Sequence, residues 1–199
     1  EGDCLKVLPT LTERIDAVVT DPPYGIGAEK GVGKYGVRRG FSGDWDKAAA
    51  DVSFIPKMGV PSVVWGGNYF TLPPSRCYLL WDKGAGFAGR NFAECEVAWC
   101  SVDGNARIFR RDPLACRDYT GKEHPTQKPV PLMQWCLEHL CLPAGATVLD
   151  PYAGSGSTGV ACVQMGLNFI GIELDPGYAA IARRRIGEAA NHLFAGGAA

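Results

Sequence analysis

Short runs of β-branched and apolar residues divide this chain, and each run stops at a cluster of Pro, Gly, Asp or Asn. Ile15-Asp16-Ala17-Val18-Val19-Thr20 predicts a buried strand that ends at Asp21-Pro22-Pro23-Tyr24-Gly25. Pro61 to Trp65 predicts a second, closed by Gly66-Gly67-Asn68, and Cys77–Trp81, Cys95–Ser101 and Ala106–Phe109 predict three more. Asp46 to Lys57 is expected to be helical. After residue 130 the period changes. Val130 to Cys141 places Leu132, Met133, Cys136, Leu137 and Leu140 on one helical face. Thr147-Val148-Leu149 is the next expected strand, followed by a helix over Ser157–Met165. A strand over Asn168–Ile172 and a closing helix over Tyr178–Ile186 come last, with the tail from Phe194 to Ala199 expected to fray. A strand–helix–strand–helix ending argues for an open, mostly parallel α/β sheet in one domain spanning 1–199.

Two of these strands run into corners with readable chemistry. The first is Gly154-Ser155-Gly156-Ser157-Thr158-Gly159, a G-x-G-x-x-G turn between a strand and a helix. Glu173 stands at the end of the following strand, placed to grip ribose hydroxyls. Asp150, just before the glycines, would repel a pyrophosphate but suits an ammonium or sulfonium cation. S-adenosylmethionine has a ribose and both cations and carries no phosphate. The plain alternative is a strand–helix turn without a ligand.

The second corner is Asp21-Pro22-Pro23-Tyr24. Its prolines have no N–H and cannot begin a regular helix. The corner therefore offers acceptors, the Asp21 carboxylate and the Pro22 carbonyl, to an amino group with two N–H bonds. Accepting both hydrogens pulls a nucleobase amine toward tetrahedral geometry and frees its lone pair. Holding it in line with a methyl sulfonium leaves a displacement governed by orientation and electrostatics. Tyr24 is placed to stack on a base taken out of a duplex. The alternative here is a rigid turn with a surface acid.

Composition narrows the field. The 199 residues carry 20 Lys and Arg against 21 Asp and Glu, with 46% apolar content, which describes a globular protein and excludes disorder over most of its length. No apolar run is long enough for a membrane helix, and Glu1-Gly2-Asp3-Cys4 does not read as a signal peptide. Eight cysteines with no C-x-x-C pair and only three His argue against a metal site. They are expected to be reduced, mostly buried thiols in a cytosolic protein. Glycine, at 26 residues, is about twice its usual share, and seven glycines fall between Gly25 and Gly43.

Together the two corners resemble the amino-group DNA methyltransferases. Asp21-Pro22-Pro23-Tyr24 is similar to their catalytic motif and Asp150-Pro151-Tyr152-Ala153-Gly154-Ser155-Gly156-Ser157-Thr158 to their S-adenosylmethionine loop. The catalytic motif comes first and the cofactor loop last, as in the permuted β class. His124-Pro125-Thr126-Gln127-Lys128-Pro129 and Gly2-Asp3-Cys4-Leu5 resemble two further motifs of that class. Ala153 stands where the family usually has a bulkier residue.

The resemblance implies a Rossmann-like, circularly permuted seven-stranded sheet with an antiparallel edge strand. It implies that Asp21, Pro22, Pro23 and Tyr24 hold the target base. Asp150, Gly154 and Gly156 would surround the cofactor's methionine end, Glu173 would take its ribose, Asp3 its adenine, and Thr126 and Lys128 its carboxylate. Cys4, Asp21, Tyr152, Ala153, Ser155, Ser157, Thr158 and Leu174 complete the expected cofactor contacts. Aspartate at position 21 favours adenine N6 over cytosine N4 within this family. The implied partners are double-stranded DNA and a second copy of the chain, with no membrane and no metal.

A nearly neutral protein needs a local basic patch to bind DNA. The stretch 25–43, read as a mobile loop, offers Lys30, Lys34, Arg38 and Arg39 beside the catalytic corner. The stretch 102–123, read as a minimal target-recognition insert, offers Arg107, Arg110 and Arg111, with Arg117 and Lys122 after them. Either could instead be a solvated charge run. Trp45 could lie by the base pocket, and Arg183-Arg184-Arg185 is expected to cap the last helix against its dipole. Adenine-N6 methylation of DNA is the leading reading. Cytosine-N4 methylation, methylation of RNA or a nucleotide, a non-catalytic cofactor-binding module and, last, a dehydrogenase are its rivals.

Overall fold

The computed structural model describes residues 1–27, 46–90 and 93–196, the side chains of 193–196 excepted. Lys30, Lys34, Arg38, Arg39 and Trp45 lie outside the described residues, as does most of the stretch expected to form a mobile loop. In chain order the elements are α1 (Cys4–Val7), β1 (Ala17–Thr20), β2 (Ser62–Trp65), β3 (Tyr78–Asp82), β4 (Cys95–Cys100), β5 (Arg107–Arg110), α2 (Val130–His139), β6 (Thr147–Asp150), α3 (Ser157–Gln164), β7 (Asn168–Gly171) and α4 (Pro176–Gly196).

The seven strands form one sheet in the order β5-β3-β4-β2-β1-β6-β7. β1 pairs in parallel with both β2 and β6, β6 with β7, and β3 with β5. Only β4 runs against its neighbours. It sits two places in from the sheet edge, not at the edge itself as the resemblance implied. From β1 the chain crosses to β2 on one side, and from β6 to β7 on the other. The switch point between β1 and β6 is where an open α/β sheet leaves a crevice at its strand ends.

β1 and β2 are buried on both faces, which is why they read as unbroken apolar runs. Their residues alternate between two cores. Ala17, Val19, Val63 and Trp65 pack with Leu132, Met133, Cys136 and Leu137 of α2 and Ala161 and Cys162 of α3. Val18, Val64, Leu149 and Ile172 face the other way, against Cys4, Val52 and Ile55.

Several expectations are corrected. The Ala-rich stretch 46–57 is not a helix; only Pro56–Met58 form a single 3-10 turn. Asp46 is buried and accepts from the Gly25 N–H at 2.7 Å, Ala50 N–H donates to Pro23 C=O at 3.0 Å, and Tyr24 and Ala49 form an antiparallel bridge. The stretch is thus spent on bracing the Asp21 corner. α4 runs ten residues past Ile186, to Gly196, so residues 194–196 of the tail expected to fray are helical, and 197–199 lie outside the described residues. Arg183, Arg184 and Arg185 consequently fall in mid-helix and cannot cap its end. α2 stops at His139, before Cys141, whose φ of +48° is left-handed. Within 102–123, residues 107–110 form the edge strand β5, so that segment is partly built into the sheet.

Leu132 is fully buried against the sheet. Leu132→Ala is expected to cost about 2–5 kcal/mol, read as a lower urea midpoint with an unchanged slope.

Candidate active site

The register of β1 and β6 (Val18 opposite Leu149) brings their C-terminal corners side by side. Asp150 joins them from beneath. It is buried and accepts from Thr20 Oγ1 of β1 at 2.7 Å, Thr158 Oγ1 of α3 at 2.8 Å and the Tyr152 N–H at 3.1 Å. Burial pushes its carboxyl up to about 6, against the pull of the two threonines. Both oxygens are engaged inside the protein, so Asp150 supports the glycine turn from below.

The turn itself has two left-handed glycines, Gly154 (φ +51°) and Gly156 (φ +78°). A Cβ on Gly156 would fall 2.9 Å from the Ala182 Cβ of α4, so this glycine lets α3 and α4 approach closely. A Cβ on Gly154 would meet only the His124 ring, at 3.9 Å, so here the backbone lies open. Glu173 crosses the turn. Its carboxylate accepts from the Gly154 N–H at 2.7 Å and the Asp175 N–H at 2.9 Å, and its backbone carbonyl accepts from the Gly2 N–H at 2.8 Å. This last bond brings Asp3, which caps α1 by accepting from the Leu5 N–H, to the end of β7. Buried Cys4 lies by the Tyr152 hydroxyl, which donates to the Asp51 carbonyl at 2.8 Å, and Leu174 is exposed.

Opposite the turn stands the Asp21 corner. The Tyr24 hydroxyl donates to Asp21 Oδ1 at 2.5 Å, and Lys128 Nζ donates to Asp21 Oδ2 at 2.5 Å. Lys128 also lies 3.0 Å from Glu96 Oε2, and Lys83 Nζ lies 2.5 Å from Glu96 Oε1. Four charges of alternating sign therefore run from the corner to β4 and the end of β3. Burial raises Asp21 above the ordinary carboxylate range and Glu96 adds to this, while Lys128 opposes both. Burial acts on Glu96 in the same sense, but Lys128 and Lys83 outweigh it and hold that carboxyl down at about 2. Desolvation by burial would lower Lys128, and Asp21 and Glu96 instead keep it above its ordinary value.

Tyr24 is less open than its sequence position suggested. Tyr69 stacks on it with ring centroids 4.9 Å apart and planes 16° apart, and the Phe70 edge lies at 6.2 Å. Gly66, at φ +68°, admits the ring, because a Cβ there would fall 2.1 Å from Tyr24.

The structure thus gathers Asp21, Tyr24, Asp150, Gly154 and Glu173 at the C-terminal ends of β1, β6 and β7. It places Lys128 on Asp21, a location that its expected role at the cofactor carboxylate did not suggest. Thr126 is turned toward His124, with its Oγ1 3.2 Å from Nδ1. Ser155 is held by Gln127 at 3.1 Å and Arg185 at 2.9 Å, and Arg184 pairs with Glu123. The arginines of α4 therefore fasten the cofactor-loop side of the molecule. Arg107 and Arg110 are exposed on β5, with Arg110 3.6 Å from Asp82. Arg111 forks onto Asp118 at 2.8 and 2.9 Å. β5 lies four strand places from β1, roughly 19 Å at ~4.8 Å per strand.

Glu96, Lys83, Tyr69, Gln127, Arg185 and His124 were not picked out from the sequence as site residues. Glu96 alone left a trace, as a charge within an otherwise apolar strand. Among the described residues, no group of three or more His, Cys, Asp or Glu could hold a metal ion, and no helix is long and apolar enough to cross a membrane. Five of the eight cysteines are buried.

The family of DNA methylases that act on N6 or N4 amino groups matches residues 63–184. The protein YubD of Escherichia coli (strain K12) is 30% identical over 94% of this chain and 88% of its own length. The chain belongs to the N6/N4 DNA methylase family. A further relative, the DNA adenine methyltransferase YhdJ of Escherichia coli (strain K12), is 38% identical over 47% of this chain and 31% of its own length. The solved M1.HpyAVI–SAM complex shares the fold. Its TM-score is 0.59 at 20% identity, covering 94% of this chain and 97% of that one.

The methylase uses S-adenosylmethionine as its cofactor, and its residues fit that group. The open backbone at Gly154, the Glu173 carboxylate beside it and the acidic rim at Asp3 suit a ribose and a cation and disfavour a phosphate.

His124 packs edge-on against Tyr178 at 4.3 Å, and burial, with help from Lys128 and Lys122, lowers its imidazole to about 4. The unfolded chain takes up this proton near pH 6.5, so the stability His124 contributes is present above that pH and lost as pH falls toward 4. His124→Asn is expected to flatten this part of the stability profile, measured by urea unfolding between pH 7 and pH 4.5.

Proposed function

We propose that this methylase transfers a methyl group from S-adenosylmethionine to the N6 amino group of an adenine turned out of double-stranded DNA. The observation that carries the reading is the Asp21 carboxylate, held at the end of β1 directly beside the glycine turn of β6. The acidic residue at the head of the Asp-Pro-Pro-Tyr corner and the adenine enzyme YhdJ among its relatives support N6 over N4.

When bound, the cofactor supplies an electrophilic methyl group on a sulfonium. The protein's own part is positioning. Asp21 and the Pro22 carbonyl accept the two N–H bonds of the target amine, and the prolines keep competing donors away. The Tyr24–Tyr69 aromatic pair provides the surface against which the flat base rests. Glu173 takes the ribose hydroxyls, Asp3, Cys4 and Leu174 border the adenine, and Thr126 approaches the carboxylate. The main chain from Tyr152 to Thr158 forms the floor. Arg107 and Arg110 contact DNA phosphates from the β5 edge; Arg111, already paired with Asp118, orders that edge.

Asp21→Ala is expected to cut the transfer rate by on the order of 10²–10³-fold or more while leaving the cofactor dissociation constant unchanged. Activity retained in Asp21→Ala would refute the assignment. Glu173→Ala should weaken cofactor binding by about tenfold or more, measured by calorimetry; an unaltered constant removes its ribose role. Nucleoside analysis of methylated DNA separates the two amines. N6-methyladenine supports the proposal, and N4-methylcytosine alone replaces it with the cytosine reading that the family also covers.

A further inference from the structure

Both oxygens of Asp21 are occupied in this structure, one by the Tyr24 hydroxyl and the other by Lys128. An amine arriving at Asp21 has to compete with an ammonium ion 2.5 Å away. Glu96 offers that ammonium a second place. Its Oε2 is buried and lies 3.0 Å from Lys128 Nζ, a longer contact than the one the lysine makes to Asp21. Lys128 Nζ is thus shared: it lies 2.5 Å from Asp21 Oδ2, 3.0 Å from Glu96 Oε2 and 3.5 Å from the Tyr24 hydroxyl. Glu96 itself is pinned. Lys83 grips Oε1 at 2.5 Å, and Lys83 in turn lies 5.1 Å over the Trp81 ring and 5.3 Å over Phe87. The ammonium therefore stands between two buried carboxylates, nearer to Asp21, and a small rotation shifts it toward Glu96.

We propose that Lys128, Glu96 and Lys83 are positioning residues that control access to the Asp21 carboxylate. Lys128 guards Asp21 while the base site is empty and leans onto Glu96 Oε2 when the target amine arrives. The two carboxylates share one lysine, so the ammonium stays paired with a carboxylate before and after the base enters, and the N–H bonds of the amine replace it at Asp21. Lys83 keeps Glu96 in place to receive it. This inference rests on the reading that Asp21 accepts the target amine.

The charged and titratable groups facing Asp21 are Lys128 from the segment before α2, Glu96 from β4, Tyr24 from its own corner and Asp150 from β6, with Lys83 acting through Glu96. Removing the Glu96 charge leaves Lys128 wholly to Asp21 and keeps that carboxyl ionised to lower pH. Removing Lys128 does the reverse.

The test is the pH dependence of kcat/KM on duplex DNA for Glu96→Gln, Lys128→Met and Lys83→Met, with cofactor affinity measured alongside. Glu96→Gln should move the acid limb down by about one pH unit and Lys128→Met should move it up by about one. Lys83→Met should move it up by less. Glu96→Gln should also lower kcat at neutral pH without changing KM for DNA, because Lys128 then has no second carboxylate to pair with. Glu96→Gln is nearly isosteric and carries the decision alone if a lysine variant does not fold. A limb that stays in place in Glu96→Gln, or moves the same way as in Lys128→Met, overturns the inference. If Asp21→Ala is inactive at the same time, the amine-acceptor reading survives that failure; if Asp21→Ala retains activity, both fall.

Discussion

One buried carboxylate ties the two halves of this site together. Asp150 closes β6, reaches across to Thr20 of the neighbouring strand and down to Thr158 of α3, and so fixes the Asp21 corner relative to the glycine turn. Strands β1 and β6 are separated by well over a hundred residues of chain, and only this switch point makes them neighbours. Displacement of a methyl group is governed by alignment, and a misplacement of about 1 Å can cost on the order of a hundredfold in rate. A hydrogen-bonded link between rigid strand ends supplies that precision better than loops could.

The second feature is electrostatic. Asp21, Lys128, Glu96 and Lys83 form a line of alternating charge in a largely dry setting. Such a line is a poor source of stability, since desolvation offsets much of the attraction. It does hold an anion where an uncompensated carboxylate would take up a proton. Tyr24 belongs to the same arrangement, bonded to Asp21 at its hydroxyl and covered by Tyr69 on its ring. The Asp21 corner is therefore a stacked aromatic pair backed by an ion-pair chain, built on the ends of β1, β2 and β4.

The strands were legible in the sequence because a strand buried on both faces is a short apolar run, and the corners were legible because Pro and Gly restrict the backbone in known ways. The stretch 46–57 misled because three alanines favour helix locally, while Asp46 forms its bond to Gly25 only in the folded chain. Lys128 was seen but placed elsewhere, since a lysine's partner lies at the end of a long flexible stem that spacing does not fix. Glu96 carried only the trace of a charge among apolar neighbours. Arg185 was misread because the end of α4 was set ten residues too early.

By itself the sequence determined the class of sheet, the order of its two chemical corners and the cofactor, because those depend on local backbone constraints and on donor or acceptor type. Tertiary structure alone decided which charges meet Asp21, that Asp150 supports the turn from within, and that Tyr69 covers Tyr24. Each of these pairs residues from separate strands or loops, and their contact is set by sheet order and register, which no local pattern encodes.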